Sequence, residues 1–192
     1  AYRLADTQAI IEKYGIDKLY THSLFKLDGE MSTFLPQSLE LGRSFVQPKY
    51  WGKRSLDYLW YGIGAFIKKH PKYRYLFGPV SISNSLPQAA KDLLVYFYRL
   101  YFSSDTNFAP SRNPLILNED LLSELNQQFV GNDYKKDFTH LKHLLANMGT
   151  SIPTLYKQYT ELTEVGGVKF IDFGIDANFE NCIDGLVIVD IH

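Results

Sequence analysis

The sequence has one cysteine, no long apolar run and almost no net charge. The single Cys182 cannot form an internal disulfide, which favours a reducing compartment such as the cytoplasm, and no histidine stands near it in sequence to activate its thiol. No run reaches the roughly 18–20 apolar residues that a membrane-spanning helix needs. A net charge of −1 gives the chain no overall basic field to attract nucleic acid. A disulfide scaffold, a membrane span and a nucleic-acid binder are therefore not expected.

What the sequence does contain is an ordinary globular composition with many aromatic rings. Its 192 residues have room for one domain with a core, and 45% are hydrophobic against 21% charged. There are 14 tyrosines and 13 phenylalanines. Amphipathic rings at this density suit a site for lipid or acyl chains, and an aromatic-rich core is the alternative explanation.

Residues 39–69 are the stretch around which we interpret the rest of the chain. A buried strand is predicted at 39–46, a loop at 47–53 and a helix at 54–69. The apolar residues of that helix recur with the 3.6-residue period that gives one buried face. They are Leu56, Leu59, Trp60, Ile63, Phe66 and Ile67.

The turn before this helix has the residues of an anion site. The first turn of a helix presents free N–H groups and a partial positive charge, and a loop that approaches closely turns that end into a phosphate site. Gly52 allows the approach, Lys53 and Arg54 add two charges, and Ser55 adds a hydroxyl. A solvated turn is the alternative, because basic residues are common at helix starts.

The same stretch resembles the acyl-donor motif of the GNAT acyltransferase superfamily, in which a strand, a short basic loop and a helix bind the pyrophosphate of the acyl donor. The segment ELGRSFVQPKYWGKRSLDYLW is similar to the hemolysin-like branch, which includes N-acyltransferases that make lyso-ornithine and glycine lipids. Acyl-homoserine-lactone synthases are a more distant resemblance. The opening AYRLAD and residues 151–192 also resemble the branch, whereas residues 103–147 do not.

The resemblance implies a mixed α/β, GNAT-like fold, with a strand and two helices expected ahead of the first residue. We divide the chain into a core with the acyl-donor motif at 1–102, an inserted loop and helical subdomain at 103–150, and a C-terminal helix and strands at 151–192. The central parallel strands of GNAT folds splay apart to admit the pantetheine arm, and Gly78-Pro79 fits either such a splay or a simple bulge or kink. Further predicted elements are a strand at 73–83, helices at 88–102 and 152–164, two short helices within 119–147, and strands at 168–173 and 186–191.

Glu40 is the candidate general base, because an amine must lose a proton to attack a thioester. A carboxylate inside the apolar run LELGRSFV is costly to bury unless it is paired. Strand alternation places Glu40 and Ser44 on one face and Arg43 on the other, unless a bulge intervenes. Arg43 is the candidate for holding the acceptor's carboxylate or pairing with the acid, and Ser44 for orienting either group. The alternative is that Glu40 forms a structural ion pair with Arg43 or is a surface charge. The resemblance to lactone synthases favours a functional role, because a Glu and an Arg of this strand lie at their active site.

The resemblance also implies how the acyl donor is held. The backbone N–H groups of Phe45 and Val46 are expected to pair with the pantetheine amide. The second glycine of the usual GNAT loop is absent after Gly52, which favours acyl carrier protein over coenzyme A, since Lys49 and its basic neighbours suit an acidic partner surface. The residues expected at the phosphate or pyrophosphate are Trp51, Gly52, Lys53, Arg54 and Ser55.

The predicted function is an N-acyltransferase that moves a fatty acyl group, or its 3-hydroxy form, from acyl carrier protein or coenzyme A to the amine of an amino acid. The product would be a lyso-aminolipid. The alternative is a non-catalytic GNAT-like binding or scaffold domain of a longer hemolysin-like protein. His140 and His143 have metal-compatible spacing but no third ligand, so no metal is expected. We expect a cytoplasmic protein, and the lipidic product leaves peripheral contact with the inner membrane face open.

Overall fold

One mixed five-stranded sheet forms the centre of the computed structural model, which describes residues 1–163 and 166–192. In sheet order the strands run 1-2-3-5-4. The second and third strands are parallel, and the other neighbouring pairs are antiparallel. The mixed α/β fold predicted from the sequence is confirmed. The strands are β1 (Arg3–Asp6), β2 (Ser38–Gly42), β3 (Tyr75–Ile82), β4 (Val168–Asp176) and β5 (Cys182–Asp190).

The helices of the described residues are α1 (Thr7–Tyr14), α2 (Ser55–Lys69), α3 (Gln88–Phe102), α4 (Glu119–Gln128), α5 (Tyr134–Asn147) and α6 (Thr154–Thr160). The first helix starts directly after β1 because the Asp6 carboxylate accepts a hydrogen bond from the Ala9 N–H at 3.1 Å, which caps it. The third helix has the bounds that the apolar stripe predicted. Short 3₁₀ turns fill most of the chain between α1 and β2.

Strand alternation gives the sheet two apolar faces, and each has its own core. On one face, Leu76 and Val80 of β3 pack with residues of α2, α3 and α6. On the other, Phe77 packs with Leu19 and Phe25 from the segment between α1 and β2. The β2–β3 junction therefore lies between a helical layer and a layer of turns.

Stacked rings make up much of the helical-side core. Tyr156 lies 5.2 Å from Phe170 and 4.8 Å from Tyr98, and Phe170 lies 5.4 Å from Phe173, measured between ring centroids. All four rings are buried. The aromatic-rich core, which was the alternative interpretation of the composition, accounts for these residues.

The two parallel strands, β2 and β3, stop pairing partway along the sheet. β2 and β3 pair from Ser38–Tyr75 to Glu40–Phe77 and then separate, although β3 stays paired with β5 to its end. Gly78 is still in close contact with β2, because an added Cβ would lie 2.1 Å from the Leu41 carbonyl oxygen, and beyond it a cavity opens between Gly42 and Pro79. The splay expected at Gly78-Pro79 is therefore present, whereas β3 has a regular register with β5 and no bulge.

Several predicted bounds are wrong. The strand predicted at 39–46 ends at Gly42, because Arg43 adopts a left-handed φ of 50° that turns the chain out of the sheet. The helix predicted at 54–69 begins one residue later. The last strand starts at Cys182 rather than at 186. The helix predicted at 152–164 is the shorter α6, and position 164 lies outside the described residues.

Residues 103–150 contribute α4 and α5, which pack against α3. Leu125, Phe129, Leu141 and Leu145 join the same apolar cluster as α3. The block thus shares the helical-side core of the sheet. Its assignment as an insertion, with boundaries at 102/103 and 150/151, stays a prediction.

Candidate active site

The segment that leaves β2, residues 42–47, runs between two openings in the surface. Its first half lines a cavity of about 570 Å³ at the splay, which we call the splay cavity. Its second half lines a groove of about 430 Å³ beside the start of α2, which we call the helix groove. The splay cavity is lined by Tyr20, Arg43, Ser44, Ser81, Asp176 and Phe179, among others. The helix groove is lined by Ala1, Phe45, Val46, Tyr50, Ser55 and Leu59, among others.

Glu40 is fully buried at the base of this segment. One carboxylate oxygen accepts a hydrogen bond from the Arg3 guanidinium at 2.6 Å and the other from the Thr21 backbone N–H at 2.7 Å. The expectation that a buried carboxylate must be paired is confirmed, and its partner is Arg3 instead of Arg43. The alternatives of a Glu40–Arg43 ion pair and a surface charge are therefore wrong.

The left-handed conformation of Arg43 decides where its side chain lies. The guanidinium carbon is 5.8 Å from the centroid of the Tyr20 ring, in the turn whose next residue binds Glu40. Strand alternation alone would have put Arg43 on the opposite face from Glu40. A turn after the strand, rather than a bulge within it, brings the two to one side. Ser44 follows at the cavity wall.

Four polar residues of this region were missed from the sequence. Ser81 donates a hydrogen bond to Asp184 at 2.5 Å, and the Tyr20 hydroxyl lies 3.4 Å from Asp176. Both aspartates are buried. A signal is present, because Asp176 ends the apolar run FIDFGID and Asp184 interrupts CIDGLVIV, but both lie between the strands predicted at 168–173 and 186–191.

The burial of these groups changes their acidity. Burial raises the pKa of Asp184 to about 6, and the nearby charge of Asp176 adds to the rise while the Ser81 hydrogen bond opposes it. Burial also raises the pKa of the Tyr20 hydroxyl, helped by both aspartates and opposed by Arg43. The splay cavity is thus a negatively charged cavity with one arginine at its edge.

The start of α2 is open. Its N-cap residue is Arg54, and no side chain of the described residues caps the first turn, because the Ser55 hydroxyl donates instead to the Tyr50 carbonyl at 3.1 Å. Arg54 pairs with Asp57 at 2.9 Å, and both side chains are exposed. Gly52 has a φ of 70° and open space around it, which leaves room for close approach. Free N–H groups and nearby cations suit an anion.

The residues predicted to hold pantetheine differ in availability. The Phe45 N–H donates to the Ala1 carbonyl at 2.8 Å, so it is already engaged. The Val46 N–H donates to no group in the described part of the chain. The Val46 carbonyl accepts from the Trp51 indole at 2.8 Å, which folds the loop back over the helix groove. Lys49 and Lys53 lie 4.9 and 5.9 Å from the centroid of the Tyr50 ring at the same opening.

Residues 1–61 match the family described as "Acetyltransferase (GNAT) domain". The first 61 residues are therefore similar to this domain family. The match runs through β1, β2 and the first half of α2, the elements that carry Glu40 and the helix groove. The resemblance to GNAT acyltransferases predicted from the sequence is confirmed.

Curated relatives extend the similarity beyond this GNAT domain match. Over 185 residues, 92% of this chain and 53% of the relative, it is 31% identical to a glycine N(alpha)-acyltransferase of Bacteroides thetaiotaomicron. A glycine N(alpha)-acyltransferase of Phocaeicola vulgatus is 28% identical over 84% of this chain and 52% of that protein. An L-ornithine N(alpha)-acyltransferase of Brucella abortus is 41% identical over 51 residues, 27% of this chain and 18% of that protein. The chain spans about half the length of the two glycine N(alpha)-acyltransferases, and no solved structure matches it.

Two features are absent from the described residues. Histidine, cysteine, aspartate and glutamate side chains form no group of three or more there that could hold a metal ion. The helices in the same residues include none with the length and apolarity needed to cross a bilayer.

Proposed function

We propose that this chain transfers a fatty acyl group from a phosphopantetheine thioester to the amine of an amino acid. The donor would be acyl carrier protein or coenzyme A, and the product a lyso-aminolipid. The observation that carries the proposal is the position of residues 42–47, which separate an open helix start from a cavity with buried charges. Relatives named as acyltransferases acting on glycine and ornithine support it.

The reaction needs two substrates to meet at this segment. The amine nitrogen attacks the thioester carbonyl carbon, the C–N bond forms, the C–S bond breaks, and the thiol leaves while nitrogen loses a proton. We place the phosphate of the acyl donor at the first turn of α2, with its pantetheine amide at the Val46 N–H. The amino acid would enter the splay cavity from the other side, and its amine would meet the thioester carbonyl within that cavity.

Glu40 stays our candidate base, acting through a water. Both of its oxygens already accept hydrogen bonds, which leaves little room for a direct contact with the amine. Thr21 Oγ1 and Arg3 Nε are buried beside it and have no hydrogen-bond partner among the described residues, so polar groups are available to hold such a water. In this scheme Arg43 holds the acceptor's carboxylate and Ser44 orients it.

Acyl carrier protein is the acyl donor that the charges at the helix groove favour. Lys49, Lys53 and Arg54 are exposed around the start of α2. An acidic carrier protein would dock against these cations, and its single phosphate would reach the helix start. With coenzyme A as donor, the same cations would instead bind the charged nucleotide of the donor itself.

Peripheral membrane contact is a further part of this proposal. Trp51, Tyr58 and Tyr61 expose most of their side chains beside Lys53, and aromatic rings next to cations suit a lipid interface. Co-sedimentation with anionic vesicles measures it. If the wild type and a Trp51→Ala, Tyr58→Ala variant pellet equally with the vesicles, these rings do not contribute to membrane binding.

The direct test supplies the protein with 3-hydroxyacyl carrier protein or the matching coenzyme A thioester, together with glycine or ornithine. Release of free thiol and formation of an N-acyl amino acid, followed by mass spectrometry, are the expected results. Arg43→Met should lower the rate without unfolding the exposed segment. Silence of the wild-type chain with every donor would contradict the proposal and favour a binding or scaffold domain.

A further inference from the structure

Asp184 lies beside the splay cavity, between Ser81 and Asp176, which both line it. It sits on β5, the strand between β3 and β4. Ser81 of β3 is its direct cross-strand partner, and Asp176 pairs with Cys182, two residues along β5. Residues two apart on a strand share a face, so all three side chains emerge on the same side of the sheet. This is also the side to which Glu40 and Tyr20 belong.

The two aspartates are buried without a cation. Asp176 and Asp184 are 4% and 2% exposed, and neither forms an ion pair with a described residue. One oxygen of Asp184 accepts the Ser81 hydrogen bond, and the other accepts none from the described part of the chain. Burying a carboxylate is costly unless it is paired. Asp176 accepts hydrogen bonds from the Asn178 N–H at 2.9 Å and the Tyr20 hydroxyl at 3.4 Å, so Asp184 is the less compensated of the two. A buried carboxylate without a cation, next to a cavity that Asp176 lines, therefore points to a cationic ligand.

We propose that Asp184, supported by Asp176, is the subsite that binds the ammonium group of the acceptor amino acid. This inference rests on the proposed function and names the part of the site that selects an amine. Tyr20 lies between the two charged ends of the cavity, with its hydroxyl at Asp176 and its ring beneath Arg43. A zwitterionic amino acid has the matching pattern, with its ammonium at the aspartates and its carboxylate at Arg43.

The subsite makes amino-acid binding depend on pH. Burial raises the pKa of Asp184 to about 6 in the empty cavity, and a bound ammonium ion would lower it. The groups on its side of the sheet are Asp176 from β4 and the hydroxyls of Ser81 and Tyr20, with Arg43 beyond Tyr20, while Tyr156 of α6 lies across the sheet and interacts with it only through its charge. Below about pH 6 Asp184 must therefore release a proton as the ligand binds, and affinity rises as pH increases through this range.

The test is calorimetric titration of the whole chain with glycine and with glycolate, which keeps the carboxylate but replaces the ammonium by a hydroxyl. Glycine should bind more tightly than glycolate above pH 7. At pH 5.5 its binding enthalpy should change with the ionisation enthalpy of the buffer, reporting proton release. Asp184→Asn should weaken glycine binding roughly 10–100-fold, the value of a charged hydrogen bond, and bring it near that of glycolate. Asp190→Asn is the matched control, since that carboxylate lies at the other end of β5 and pairs with Arg74.

A second variant keeps the proposal testable if Asp184→Asn disturbs folding. Asp176→Asn removes the charge that helps raise the pKa of Asp184, so the midpoint of glycine binding should move to lower pH. Equal affinities for glycine and glycolate, or an unchanged Asp184→Asn variant, would overturn the subsite, as would Mg²⁺ or Ca²⁺ binding there in preference to glycine. Acyl transfer that survives in Asp184→Asn at unchanged KM for glycine would overturn it and leave the proposed function standing. Glycine binding with the expected pH dependence but no transfer from any thioester would support the subsite and contradict the proposed acyl transfer.

Discussion

Arg3 and Glu40 form a partly buried ion pair that joins the first strand to the centre of the candidate site. The Arg3 guanidinium nitrogen lies 2.6 Å from the Glu40 oxygen, and the glutamate side chain is 1% exposed. Arg3 pairs across β1 and β2 with Gly42, so it reaches Glu40 diagonally on the same face. Because Glu40 also holds the Thr21 amide, one carboxylate fixes β1, β2 and the turn that carries Tyr20.

Glu40→Gln tests this junction. The amide keeps the size of the side chain but removes the charge that Arg3 neutralises. We therefore expect a loss of about 2 kcal/mol in the free energy of unfolding. This loss is smaller than for a fully buried ion pair because Arg3 is partly exposed. Urea unfolding measures it. Glu161→Gln, which removes the exposed Lys157 pair at 3.8 Å, is the matched control and should change little. If both substitutions cost the same, the Arg3–Glu40 pair has no special structural role.

The sequence predicted the elements whose signal is local. The bounds of α3 were correct because its apolar stripe and the proline-containing turn before it are contained in a single stretch. The strand end at Gly42 could not be predicted, since it depends on Arg43 adopting a left-handed conformation that contacts elsewhere stabilise. The start of β5 was missed because Cys182, Asp184 and Gly185 weaken the apolar pattern, although pairing with two neighbouring strands stabilises them as strand residues.

The candidate site likewise contains residues that the sequence could predict and partners that it could not. Glu40 was found because a lone carboxylate in an apolar strand is conspicuous, but its partner Arg3 is 37 residues away and carries no signal of its own. Ser81 and Asp184 are separated by 103 residues, and their hydrogen bond exists because the sheet order places β5 beside β3. Sequence periodicity predicts which face of the sheet a residue occupies. Its partners on neighbouring strands depend on the strand order, which the periodicity does not give.

Gly78→Ala should damage the splay. The new Cβ would lie 2.1 Å from the Leu41 carbonyl oxygen, a backbone atom that cannot move without displacing β2. We expect a loss of about 3 kcal/mol in the free energy of unfolding, measured by urea titration. Gly64→Ala within α2 is the control, because open space surrounds that position and alanine favours a helix by up to about 1 kcal/mol. A Gly78→Ala protein as stable as wild type would mean that the strands can part further without cost.

Removal of the cations at the helix groove should distinguish the two acyl donors. Lys53→Ala combined with Arg54→Ala should raise KM for acyl carrier protein, and most strongly at low ionic strength, because exposed charges steer association and are screened by salt. Initial rates at several salt concentrations measure this. Lys135→Ala on the exposed surface of α5 is the charge-matched control. A salt-independent KM for the carrier protein would argue against electrostatic docking at this opening.

Asp184→Asn should make the protein more stable at neutral pH while it impairs glycine binding. The folded-state pKa of Asp184, about 6, lies above its ordinary value of 3.8, so the native state binds the proton more tightly than the unfolded chain. Stability therefore falls as pH rises from about 4 to 6, and above 6 the buried charge costs on the order of 2 kcal/mol, which the neutral amide avoids. Thermal melts at pH 7.5 should show a higher Tm for the variant, and melts near pH 4 little difference.

Asp190 on the same strand should behave in the opposite sense. The Arg74 hydrogen bonds and charge hold the pKa of Asp190 below its usual range, so its contribution to stability is present above about pH 4 and lost on acidification. Asp190→Asn should therefore lower Tm at pH 7.5, modestly because Arg74 is half exposed. Opposite shifts from two aspartates six residues apart on β5 would separate a carboxylate held for ligand binding from one held for stability. A fall in Tm for both variants would instead show that Asp184 has a stabilising partner in the folded protein.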